Sequence, residues 1–69
     1  MEYRLTETRI PQNVIAVKDC VDDFAAEKWA RDWATVNGKT DEYSLERVGG
    51  GFSAVTFKTV GGQWYVMRR

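Results

Sequence analysis

Across residues 20 to 36 the apolar side chains recur at helical spacing, and on both sides of that stretch the period drops to two. One helix bracketed by strands restricts the chain to an α+β plan, because a helix stripe and a sheet face must bury each other. At about 100° per residue, Val21, Ala25, Ala26, Trp29, Trp33 and Val36 share one side, with Asp23, Glu27, Lys28 and Arg31 opposite. Asp19 is the expected N-cap, and Asp22 and Asp23 place negative charge where the first turn exposes unpaired N–H groups. Asn37-Gly38 is the expected stop. Phe24 departs from the pattern and projects toward the charged side.

The flanks read as strands. Tyr3 and Leu5 alternate with Arg4, Thr6 and Thr8, and Ile10-Pro11-Gln12-Asn13 has turn chemistry. Val14-Ile15-Ala16-Val17 then folds back as a second strand, or serves as an extended lead into the helix. After the helix, Tyr43 and Leu45 mark a third strand that ends at Gly49-Gly50-Gly51. Val55 and Phe57 alternate with Ala54, Thr56 and Lys58 in a fourth. Gly61-Gly62 supplies a hairpin turn, and Trp64 and Val66 alternate with Tyr65 and Met67 in the last strand. The expected order is ββαβββ over a single domain, residues 1–69, with one helix on one face of a four- to five-stranded antiparallel sheet. The other face is left to solvent or to a partner.

Sixty-nine residues lie near the lower limit for a core without staples, and a lone cysteine, Cys20, excludes an internal disulfide. Three Trp, three Tyr and three Phe must therefore carry the burial, with Trp29 and Trp33 in the core. The N-terminal segment has no basic-then-apolar signal pattern and no stretch reaches the roughly 20 apolar residues of a membrane helix. A soluble, cytoplasmic chain that does not engage membranes is expected.

The chemistry excluded is extensive. There is no histidine, which removes the commonest general base and metal ligand. Cys20 stands near a helix start, but Asp19, Asp22 and Asp23 disfavour its thiolate, so a small half-buried residue is expected. Asp19, Asp22, Asp23 and Glu27 lack the loop spacing of a calcium site. Gly49-Gly50-Gly51 leads into strand sequence, whereas a phosphate loop leads into a helix. No enzyme, cofactor or metal site is expected, and the function class that remains is binding.

Charge defines two candidate surfaces. From residue 19 to residue 46, eight carboxylates oppose three basic residues, a net −5, and the remainder sums to +5. The acidic surface comprises Asp23, Phe24, Glu27, Arg31 and Asp32 on the helix, with Asp41 and Glu42 in the following loop. It suits a protein or nucleoprotein partner with a basic groove. The second is the uncovered sheet face, expected to present Arg4, Phe52, Thr56, Lys58, Tyr65 and Met67 beside Arg68, an aromatic and basic platform for single-stranded nucleic acid. A pI of about 6.2 is low for such a binder. A homodimer through the uncovered face or the last strand is a third alternative.

In size and plan, one helix on a short antiparallel sheet, the chain resembles small phage-encoded inhibitors of the anti-CRISPR type. The resemblance is one of outline and carries no motif and no functional residue. It implies an inhibitor occupying a basic nucleic-acid-binding surface, in which reversal of Asp23, Glu27 and Asp32 to Lys abolishes binding and spares folding.

Overall fold

The period-two segments all become strands and the helical segment one helix. The structure, a computed structural model, describes residues 1–9 and 12–69. The elements are β1 (Glu2–Glu7), β2 (Asn13–Asp19), α1 (Asp23–Asn37), β3 (Glu42–Arg47), β4 (Ser53–Lys58) and β5 (Trp64–Arg68). All five strands form one antiparallel sheet in the order β2-β1-β3-β4-β5, with α1 packed on one face, so the protein is α+β as expected. Val14 to Val17 belong to a paired strand, β2, whose register shifts opposite Leu5 and Thr6. The predicted turn at Ile10 and Pro11 lies outside the described residues.

Cross-strand partners share a face. Tyr3, Leu5, Tyr43, Leu45, Ala54 and Thr56 face the helix and are at most 1% exposed. Arg4, Thr6, Ser44, Glu46, Val55, Phe57, Tyr65 and Met67 face the other way. The phase expected for β1, β3 and β5 holds, and that of β4 is inverted. Ala54 and Thr56 point inward, Val55 and Phe57 outward. The reason is volume: Tyr43 of β3 and Trp64 of β5 bring their ring centroids to 5.6 Å, although β4 runs between their strands. Adjacent strands are about 4.8 Å apart, so these rings meet above β4 and leave space there only for small side chains.

The helix also differs in phase and start. Asp19 is the last residue of β2, paired with Glu2, and the cap is Asp22, whose Oδ1 accepts the Ala25 N–H at 2.8 Å. Ala26, Ala30 and Ala34 form the buried ridge, which lets the helix backbone approach the sheet. Val21, which precedes the helix, and Val36 are 85% and 80% exposed. Trp29 and Trp33 are half-buried beside the ridge, Trp33 meeting Tyr43 edge-on at 5.7 Å. The rings are too wide to lie beneath the helix and fill the flank instead. Gly38 ends α1 as expected, donating its N–H to Ala34 O at 2.8 Å. Its φ of −63° suits any residue, so close packing selects glycine: a Cβ there would stand 2.4 Å from Ala34 O and 2.8 Å from a Trp64 ring carbon.

Candidate functional site

Rotation of the helix toward Ala30 and Ala34 carries Asp23 and Glu27 down to the sheet. Asp23 accepts from the Tyr3 hydroxyl and lies 3.9 Å from Arg47 Nη2. Glu27 Oε1 accepts from Arg68 Nε at 2.5 Å, a charge-assisted bond that raises the Arg68 pKa above its ordinary value. The expected outward acidic face is thereby corrected: two of its carboxylates are half-buried and matched by arginines of β3 and β5. Asp32 is exposed with Lys28 3.7 Å away, and Asp41 and Glu42 lie exposed in and beside the loop before β3. Phe24 and Arg31 remain exposed, Phe24 at 74%.

The expected basic platform is likewise corrected. Thr56 is buried beneath the helix, and Lys58, in register with Trp64, belongs to the helix-bearing side. Phe52 packs edge-on against inward-facing Tyr3 at 5.9 Å, and Arg68 stacks over the Phe52 ring at 5.6 Å on that same side. Of the predicted set, Arg4, Tyr65 and Met67 do face outward, with Arg4 bonded to Glu46 at 3.2 Å. Inversion of β4 is responsible, since it exchanges Thr56 and Lys58 for Val55 and Phe57.

Two neighbouring features at β5 replace the separate surfaces. On the open face, Val55 opposes Met67 and Phe57 opposes Tyr65, with the two rings 6.2 Å apart. These four side chains form an uncharged patch in which Tyr65 and Met67 are 48% and 61% exposed. Val55 and Phe57 were missed as surface residues because alternation alone gives two phases and burial of the larger side chains is the natural choice between them. At the margin, a groove of about 300 Å³ is lined by Phe24, Glu27, Lys28, Arg31, Tyr65 and Val66. It unites Phe24, Glu27 and Arg31 of the predicted acidic surface with Tyr65 of the predicted platform.

Cys20 is 7% exposed, and burial, with lesser contributions from Asp19 and Asp22 against Lys18, raises its thiol pKa above the ordinary value. Among the described residues no group of three or more Cys, Asp or Glu side chains is arranged to hold a metal ion. Among the described residues no helix is long and apolar enough to cross a membrane. Comparison with family models, curated proteins and solved structures finds no match for this chain.

Proposed function

We propose that the protein is a non-enzymatic binding module that docks the open-face patch of Val55, Phe57, Tyr65 and Met67 onto an apolar surface of a protein partner. The observation that carries this reading is the combination of aromatic and thioether side chains, 48% exposed at Tyr65 and 61% at Met67, with no charge among the four. Buried aromatic and Met anchors dominate protein interfaces, and an exposed cluster of them on a soluble face is unusual without one. The Arg4–Glu46 pair supplies a polar rim.

An acidic-helix inhibitor would use Asp23 and Glu27 against a basic surface, but both carboxylates are engaged within the chain, so the patch is the better anchor. Single-stranded nucleic-acid binding would need cations beside the rings, and Arg4 there is neutralised by Glu46.

A pull-down from the native host with nuclease-treated lysate tests the proposal. The expected result is a protein recovered at high salt by the wild type and lost with Phe57→Ser or Val55→Asp. Recovery that depends on nucleic acid, or that survives both substitutions, overturns it.

A further inference from the structure

The two edges of the sheet are built differently. The β2 edge is interrupted by a register shift near Ile15 and ends in Lys18 and Asp19, features that discourage another strand from pairing. The β5 edge carries no such interruption. Its register with β4 is continuous from Trp64 to Arg68, and its first charge is Arg68.

Hydrogen bonding determines which β5 groups are free. Thr59 N–H donates to Gln63 O at 2.8 Å and Arg69 N–H to Ser53 O at 3.1 Å, so the odd-numbered residues of this strand face β4. By antiparallel alternation the N–H and C=O of Trp64, Val66 and Arg68 point away from the sheet. A strand with that pattern is self-complementary about its centre. A two-fold axis at Val66 pairs Val66 with itself and Trp64 with Arg68 of the second copy. On the open face it sets Tyr65 opposite Met67, an aromatic–sulfur contact. The antiparallel arrangement keeps the two Arg68-Arg69 ends apart, and a net charge of zero imposes no long-range repulsion.

The helix adds a second, independent match. Phe24 and Arg31 both line the groove beside Val66 and stand two helical turns apart, about 10 Å along the axis. A two-fold axis at Val66 reverses the neighbouring helix and brings Phe24 of each copy toward Arg31 of the other. An aromatic ring 74% exposed in the monomer then receives a guanidinium over its face.

We propose that β5 is a dimerisation edge, at which a second copy of this chain adds its own β5 antiparallel with Phe24 set against Arg31, giving one continuous ten-stranded sheet. Such a dimer doubles the open-face patch without covering Phe57 or Val55, so the variants that test partner binding leave it intact.

Sedimentation velocity over a wide range of protein concentration tests the proposal. The wild type is expected to show a concentration-dependent dimer. Val66→Pro removes an N–H that points away from β4, and edge strands tolerate proline at such a position, so the dimer should weaken about tenfold or more while the monomer folds. Phe24→Lys should weaken it by repulsion from Arg31, and Phe24→Glu should preserve or strengthen it. A monomer at every concentration overturns the proposal. So do Phe24→Lys and Phe24→Glu of equal effect, since position 24 is exposed and the sign of the charge then does not matter.

Discussion

The hydroxyl of Tyr3 in β1 donates to the carboxylate of Asp23, the first residue of α1, so the start of the helix is tied to a central strand across twenty residues. Arg47 of β3 stands on the far side of the same carboxylate. Burial, followed by the bond to Asp23 and the charge of Asp23, pushes the Tyr3 pKa up from 10.0 to about 12, against a smaller opposing effect of Arg47. Between these values the unfolded chain has lost the phenolic proton and the folded chain retains it. The folded state then binds more protons, so stability falls as pH rises through that window, and Tyr3 adds no pH dependence below it. Urea unfolding of the wild type should show this alkaline decline, and Tyr3→Phe should show a shallower one. Parallel declines would refute the assignment.

Charge reversal should separate the two classes of helix carboxylate. Asp23→Lys sets an ammonium beside Arg47 and removes the acceptor of Tyr3, and should cost about 2 kcal/mol or more. Asp32→Lys, at an exposed position, should stay within about 0.5 kcal/mol. Individual urea melts distinguish these outcomes, and equal midpoints would show that Asp23 carries no structural bond.

Gly38→Ala should destabilise by about 2 kcal/mol, because the added methyl has to displace either the Ala34 carbonyl or the Trp64 ring. A thermal scan reads this directly. A neutral result would mean that the helix end can shift at little cost.

The Thr56 hydroxyl is buried beneath the helix without a hydrogen-bond partner among the described residues. Thr56→Val keeps the shape and removes the unsatisfied group, and should stabilise by about 1 kcal/mol in equilibrium denaturation. Destabilisation would imply a partner for that oxygen.

Buried and with its pKa raised, Cys20 should react with iodoacetamide many times more slowly in the folded protein than in denaturant. Equal rates would place the thiol at the surface.

The architecture could be read from the chain because each element has a local cause. Tyr3 and Leu5, Tyr43 and Leu45, and Trp64 and Val66 alternate cleanly, the Gly49-Gly50-Gly51 turn adopts φ values of +97°, +92° and +89°, and Gly38 closes the helix. The candidate sites were legible only in part. Phe24, Arg31, Tyr65 and Met67 stand exposed where the pattern puts them. Asp23 and Glu27 are half-buried against Arg47 and Arg68 instead, because the partner of a charged side chain is set by packing between elements distant in sequence, and Lys58 lies on the helix-bearing side because β4 is inverted.

Residue order by itself determined the helix, the strands β1, β3, β4 and β5 and the glycine turns between the last three, since these depend on backbone preference and on periods of two or 3.6, whereas Val14 to Val17 by themselves allow either a paired strand or an extended lead into the helix. Tertiary structure alone decided two phases. Tyr43 and Trp64 meet over β4 and turn Phe57 outward, and the alanine ridge rotates α1 so that Asp23 and Glu27 meet Arg47 and Arg68. A strand period has two faces and a helix stripe can shift by a residue at small local cost. The volumes and charges that select among these alternatives become neighbours only when the sheet and helix close on each other.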